Sequence, residues 1–203
     1  MAGGPAILIP AAGASSRMRG PDKLVQLAGT VPLLRRVAGR ALATGARVLV
    51  TLPPPPHDAG RRAALDGLPV DLIGVPDAAE GMAASLRAGA GTVAAWPGVS
   101  ALMVLLGDMP DLEPADLSSL FARFAAEGGD TPLRATAEDG RPGQPVIFPP
   151  RLFPALSRVT GDRGGRDILR AEPRLVHHPL PGDRALVDLD TPEAWAAWRD
   201  RTA

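Results

Sequence analysis

Apolar residues in this chain come in two rhythms. Short unbroken runs at 6–9, 47–52, 70–75 and 100–106 read as strands buried on both faces. The run at 100–106 is the most apolar and is expected at the centre of a sheet. Between these runs, apolar residues recur every three or four positions. That spacing predicts helices from near Pro32 through residues 33–43, over 58–65, from Gly81 to about Ala95, and from Pro114 to about Glu127. Strand and helix alternate, so the expected class is α/β with a doubly wound, mostly parallel sheet.

The second half has a different texture. A strand is expected at 133–137, a turn at 138–140, and a loop from Gly143 entering a strand that ends at Phe148. A helix follows at 152–156. A polar loop, 161–166, opens a helix at 167–171. Strands are expected at 175–178 and 185–187, and the last helix starts after Thr191, with Pro192 and Glu193 in its first turn. The 23 glycines and 23 prolines fall between periodic segments and act as turn punctuation. With no linker and no repeat, the 203 residues are read as one domain.

Composition narrows the function. Acidic and basic residues balance at 22 each, which argues against a nucleic-acid partner. The absence of cysteine excludes a disulfide, a Cys–zinc site and a thiol nucleophile. No apolar run has membrane-spanning length, and the first residues lack the basic and apolar regions of a signal peptide. The expectation is a cytoplasmic enzyme with no membrane contact. His57, His177 and His178 have no ligand spacing.

The chemistry starts where the first strand stops at Pro10. Ala11, Ala12, Gly13, Ala14, Ser15 and Ser16 are all small, so backbone N–H groups can approach an anion closely. Arg17, Arg19 and Lys23 follow. A strand, a small-residue loop and converging cations suggest a polyphosphate site. The loop carries neither G-x-G-x-x-G nor G-x-x-x-x-G-K-[ST], which also argues against a dinucleotide-dependent oxidoreductase. Lys23 is the only lysine, and Asn, Tyr and Cys are absent, as in a chain drifting toward GC-rich codons. One ammonium remains where a compact charge serves a crowded phosphate better than a planar fork. Lys23 is expected to face solvent in the cleft.

A second anchor is Asp108. It stands in Gly107-Asp108-Met109-Pro110, at the end of the most apolar strand, where a carboxylate can hold Mg²⁺ against phosphate oxygens. Mg²⁺ commonly takes one or two carboxylates. The second candidate lies in Val187-Asp188-Leu189-Asp190-Thr191-Pro192. If Leu189 points inward, Asp188 and Asp190 share the opposite face. Asp190 is favoured because it ends the expected strand.

The pattern A-A-G-x-S-x-R-M-x-G…K resembles the signature loop of nucleotidyltransferases with a glycosyltransferase-A-like, Rossmann-like fold. Within these it resembles the MobA-like NTP transferase family, and most closely the branch that attaches a nucleotide to the molybdenum cofactor. The resemblance implies a nucleotide-binding half over about 1–130 and an acceptor-binding half over about 131–203. It puts the loop from Ala11 to Ser16 around a triphosphate, with Arg17 and Lys23 on the phosphates, and makes Asp108 the metal-binding Asp of the G-D-M-P motif. The D-x-D-T-P ending matches at Asp188–Pro192. The G-M-x-x-S-L helix start implies that Ser85 lies beside the nucleoside. Gly143-Gln144-Pro145-Val146 resembles the acceptor-side G-x-P-V loop. Gln144 stands where the cytidylyl branch commonly has His, and that departure leaves the acceptor open. The loop at 161–166 resembles a G-D-x-G-x-R loop whose cations, Arg163 and Arg166, could grip an acceptor phosphate. Ala11-Ala12 in place of a Gly-Gly-like pair favours CTP.

The reading is a Mg²⁺-dependent transfer of a nucleoside monophosphate from a nucleoside triphosphate to a pyranopterin-type phosphorylated acceptor, with release of pyrophosphate. A molybdoenzyme or its chaperone is the expected recipient of the product. Guanylyl transfer, a different phosphorylated acceptor, and a non-catalytic molybdenum-cofactor carrier stay open as alternatives.

Overall fold

The first apolar run folds as β1 (Ala6–Pro10), in which Ala6, Ile7, Leu8 and Ile9 are fully out of solvent. Ile7 and Ile9 enter one hydrophobic cluster, and Ala6 and Leu8 enter another on the opposite face. A strand with core on both sides has no polar positions to alternate with, so it reads as an unbroken run. The computed structural model describes residues 4–14, 18, 22–161 and 164–202.

After β1, a short 3₁₀ turn at Lys23–Val25 leads to a small antiparallel pair, β2 (Leu27–Ala28) and β3 (Val31–Pro32). Then come α1 (Leu33–Leu42), β4 (Arg47–Leu52), α2 (Ala59–Leu65), β5 (Asp71–Gly74), α3 (Met82–Ala94), β6 (Leu102–Val104) and α4 (Pro114–Ala126). The second half supplies β7 (Leu133–Thr136), β8 (Pro142–Phe148), α5 (Phe153–Leu156), α6 (Gly164–Ala171), β9 (Val176–Pro179) and α7 (Pro192–Thr202).

The described residues give a seven-stranded sheet in the order β5-β4-β1-β6-β8-β7-β9. β5, β4, β1 and β6 are parallel. β8 is antiparallel to both neighbours, and β9 runs parallel to β7. The sheet is mixed and mostly parallel, and β6 is its middle strand. Both match the sequence-based expectation. The chain builds outward from β1 through β4 to β5, then returns to lay β6 on the other side of β1. That reversal is a topological switch point, and crevices for ligands open there at the carboxyl ends of the strands.

One close approach shapes this centre. A Cβ on Gly89 of α3 would lie 2.5 Å from the Leu8 side chain, so only glycine lets α3 sit on β1. On the opposite face, Trp195 and Trp198 of α7 are buried in the same cluster as Met109 and Leu112. Trp198 Nε1 also donates to Asp111 Oδ1 at 2.7 Å. α7 is thereby fastened over the loop that follows β6.

The expected strand at 185–187 is absent. That stretch closes as a turn, with Leu186 N–H donating to the Asp183 carbonyl at 2.8 Å and Val187 N–H to the same oxygen at 3.2 Å. Apolar residues at 185–187 suggested a strand, but local hydrogen bonding around Gly182 and Asp183 takes the backbone instead. Residues 23–25 are not extended either. Asp22 caps a 3₁₀ turn there, its Oδ1 accepting from Leu24 N–H at 3.1 Å.

Candidate active site

A cleft opens at the carboxyl ends of β1 and β6. Pro10, Ala11 and Gly13 line it from the first loop, and Leu106, Gly107 and Asp108 from the second. Gly81, Met82 and Ser85 line it from the start of α3, and Lys23, Leu24 and Asp190 complete it.

Its centre is one ammonium between two carboxylates. Lys23 Nζ donates to Asp108 Oδ2 at 2.5 Å and also to Asp190 Oδ1. The three side chains are 14%, 12% and 25% exposed, so water screens them little. Burial works against the charge on Lys23, but the two carboxylates outweigh it and hold the ammonium above the ordinary lysine range. The expectation that Lys23 faces solvent is therefore corrected: it is mostly covered and doubly ion-paired.

Backbone bonds bring these groups together. The Leu189 N–H donates to the Asp108 carbonyl at 3.0 Å, while Leu189 itself is fully buried. This stitches the stretch before α7 onto the end of β6 and delivers Asp190 to Lys23. Asp188, its neighbour across Leu189, is exposed. Asp190 reaches the site from a loop rather than from a strand end. Thr191 then caps α7, its Oγ1 accepting from Ala194 N–H at 3.2 Å. Asp108 Oδ1 is buried and has no hydrogen-bond partner among the described residues.

The first loop is used unevenly. The Ala11 N–H is spent on Thr51, donating to its carbonyl at 3.1 Å and its Oγ1 at 3.2 Å. Ala12 is turned into a small cluster with Val75 and Ala84. Gly13 faces the cleft. Ser85 lines the cleft although it is only 2% exposed. Ser15, Ser16, Arg17 and Arg163 lie outside the described residues.

Of the described acceptor-side candidates, neither Gln144 nor Arg166 lines this cleft. Gln144 N–H donates to the Ala185 carbonyl at 2.8 Å, and its Oε1 is buried without a partner among the described residues. The neighbouring Gly143 is packed so closely that a Cβ would sit 2.1 Å from the same carbonyl oxygen. Arg134 of β7 holds that segment from its other side, donating from Nε to the Gly143 carbonyl at 2.9 Å. Arg166, on α6, is exposed. Burial, and then the charge of nearby Arg166, push the Arg134 guanidinium below its usual range.

Three arginines that the sequence did not single out brace the loops around the site. Arg134 is one. Arg40 of α1 bonds the Leu112 carbonyl at 3.0 Å, the Pro110 carbonyl, and Glu113 Oε1 at 2.5 Å, and so fixes the loop after Asp108. Arg61 of α2 lies beneath the first loop and is 3% exposed. A signal for Arg61 existed: it falls three and four positions before Ala64 and Leu65, on the buried face of its helix.

This fold and this site define a nucleotidyltransferase with a glycosyltransferase-A-like fold. Residues 7–178 match the MobA-like NTP transferase domain, and the chain belongs to that family. Rv0371c from Mycobacterium tuberculosis H37Rv superposes with a TM-score of 0.83 at 25% identity, covering 98% of this chain and 99% of that one. A nucleotidyl transferase from Methanothermobacter thermautotroptrophicus, Mth528, gives a TM-score of 0.76 at 22% identity, with 98% of each chain covered. CMP:2-keto-3-deoxy-manno-octonic acid synthetase, solved with CTP, shares the fold at a TM-score of 0.75 and 16% identity, covering 99% of this chain and 98% of that one. A structure of Rv0371c in complex with manganese also matches, with a TM-score of 0.79 at 23% identity over 98% of this chain and all of that one. Comparison with curated proteins finds no match.

Proposed function

We propose that this protein transfers a cytidylyl group from CTP to the phosphate of a pyranopterin-type acceptor, the molybdenum cofactor. The observation that carries this reading is the Lys23 ammonium held between Asp108 and Asp190 at the switch point. An oxygen of the acceptor phosphate attacks the α-phosphorus of the triphosphate. The bond from that phosphorus to the oxygen bridging toward the β-phosphate breaks, and its electron pair leaves with pyrophosphate. No side chain acts as a nucleophile. The chain's contribution is position and charge: Lys23 meets the phosphates, the family resemblance gives Arg17 the same role, and Gly13 lets the loop approach.

A divalent cation fits the residues present. Asp108 has an unpartnered buried oxygen, and the Asp190 carboxylate shares a cation with it. The described residues hold no group of three or more His, Asp or Glu side chains placed to hold a metal ion. Two carboxylates without such a cage suit Mg²⁺, which takes few protein ligands and completes its shell with phosphate oxygens and water. Asp108 and Asp190 would hold Mg²⁺, which neutralises charge on the phosphate oxygens. The manganese bound by Rv0371c supports a divalent cation.

Cytidine is favoured by Ala11-Ala12 and by the fold shared with a CTP-bound synthetase. Ser85 is the candidate contact to the nucleoside. On the acceptor side, the charge of Arg166 beside Arg134 favours an anion near the two, and Gln144 and Arg163 are the further acceptor candidates by the family resemblance. Both halves contribute strands to one sheet and are read as one domain. No helix among the described residues is long and apolar enough to cross a membrane, in keeping with a cytoplasmic enzyme. The test is pyrophosphate release, screened with CTP, GTP, ATP and UTP against a pyranopterin phosphate. CTP should be turned over fastest. A preference for GTP would replace cytidylyl by guanylyl transfer. No release with any pair would leave a carrier protein.

A further inference from the structure

Arg61 is one of the few buried charged side chains among the described residues, and four of its hydrogen bonds converge on the first loop and the turn that carries Lys23. Its Nη1 donates to the Ala11 carbonyl at 2.6 Å, and its Nη2 to the Gly13 carbonyl at 2.7 Å. Nε and Nη2 also grip Asp22, at 2.7 Å to Oδ2 and 3.0 Å to Oδ1. Asp22 is the residue before Lys23, and its Oδ1 also caps the turn that carries Lys23. One guanidinium therefore holds the loop on one side of the cleft and the lysine-bearing turn on the other.

Peptide geometry gives this arrangement a direction. In a trans peptide the C=O and the following N–H point opposite ways. The Ala11 and Gly13 carbonyls turn toward Arg61, so the Ala12 and Ala14 N–H groups turn away from it. Among the described residues, the cis peptides are at Pro55-Pro56 and Gln144-Pro145, so both loop peptides are trans. A buried cation that fixes two alternate carbonyls thus aims the Ala12 and Ala14 N–H groups out of the opposite side of the loop, where backbone donors can meet an anion. Left unbonded, those carbonyls could flip toward the cleft and repel an anion.

We infer that Arg61 is the positioning residue of the triphosphate site. It sets the loop N–H groups and, through Asp22, the placement of Lys23, without touching the nucleotide itself. This inference rests on the nucleotidyltransferase reading. It goes beyond that reading in assigning selectivity for the phosphate chain to a side chain of α2, on the far side of the loop. A merely structural brace would lower affinity for every nucleotide alike. A positioning residue acts on the β- and γ-phosphates and leaves the nucleoside end untouched.

The experiment compares nucleoside triphosphate with monophosphate. Calorimetric titration with CTP and CMP, and in parallel with GTP and GMP, is done in Mg²⁺ on the wild-type protein and on Arg61→Met. The expected result is a loss of at least about tenfold in the preference for the triphosphate, since a misplacement of about 1 Å in such a site is costly. Monophosphate affinity should stay the same. Asp22→Asn keeps the side chain's size and weakens the grip of Arg61, so it should show a smaller loss in the same direction. It also serves if Arg61→Met does not melt as a folded protein. Equal losses for triphosphate and monophosphate, or an unchanged preference in both variants, would overturn the inference. A wild-type protein with no preference for either triphosphate would instead sink the reading on which it rests.

Discussion

The two sides of this site are built differently. On the nucleotide side, the charged groups described are already partnered: Lys23 has two carboxylates, and Arg61 bonds two carbonyls and Asp22. On the acceptor side, Arg166 stands exposed and repels Arg134, and Gln144 keeps a buried oxygen with no partner among the described residues. The first arrangement spends its ordering during folding, so a triphosphate meets groups already placed. The second leaves charge and hydrogen-bonding capacity unspent. Such a surface gains most from the arrival of an anion with acceptors of its own. The difference fits the tasks proposed above, in which one side holds a phosphate chain common to all nucleotides and the other selects one small molecule.

The nucleotide side should break first and hardest. Asp108→Asn keeps a hydrogen-bonding group near Lys23 but removes the charge. Activity is expected to fall by about 100-fold or more at any Mg²⁺ concentration, with the fold unchanged by circular dichroism. Lys23→Arg comes next. It keeps the charge but puts a planar fork into a space that fits a point charge. kcat/KM should fall at least about tenfold, roughly 1.4 kcal/mol of transition-state stabilisation. Because Lys23 is covered and doubly paired, the same variant should also melt at a lower temperature. Wild-type kinetics would make the lone lysine an accident of codon usage.

On the acceptor side the effects should be smaller and confined to one substrate. Arg166→Gln is expected to raise the acceptor KM by about three- to tenfold, the size of one partly exposed charge-assisted bond. The KM for the triphosphate should not move. A change in both KM values would mean that the two sides are coupled, and the contrast drawn above would fail.

The smallest effect concerns His178 of β9, whose Nε2 lies 3.2 Å from Ser119 Oγ. Burial, and then the charge of Arg123, hold this imidazole below its ordinary pKa. The unfolded chain therefore binds a proton more readily than the folded one. Stability is intact above about pH 6.5 and declines as pH falls through that value. His178→Gln should flatten the decline in melting temperature between about pH 6.5 and 5. The activity ratio between wild type and variant should stay constant, because this histidine lies in neither half of the site.

Much of this could be read from the chain. The buried strands announced themselves because core on both faces demands unbroken apolar runs, as at Ile7, Leu8 and Ile9. Asp108 was legible because a carboxylate after the most apolar run has to emerge at a strand end. The stretch at 185–187 misled because three apolar residues carry no record of the backbone bonds that curl them. The pairing of Lys23 with Asp190 was hidden for a similar reason. The two are 167 positions apart, and what delivers Asp190 to Lys23 is the main-chain bond from the Leu189 N–H to the Asp108 carbonyl, which has no sequence signature. Arg61, Arg40 and Arg134 were missed because they serve carbonyls. Composition counts them as surface charge, and only their burial shows that they are scaffolding.

The bond from Leu189 N–H to the Asp108 carbonyl has a consequence for how the protein comes into being. Synthesis runs from the N-terminus, and the earlier part of a chain emerges and begins to fold first. When α6 has just left the ribosome, β1, β6, Lys23 and Asp108 are all outside, and Asp190 is still enclosed in the exit tunnel. A nascent chain of that length can shape a crevice for a nucleotide but holds half of its carboxylate pair. The long-range stitch is also the kind of contact that forms late, because a large loop closes before it. The Lys23 ion-pair network is thus completed by a residue made long after the strands that carry the cleft, and a ribosome stalled before residue 189 releases a chain that can begin to fold but lacks the Asp190 carboxylate.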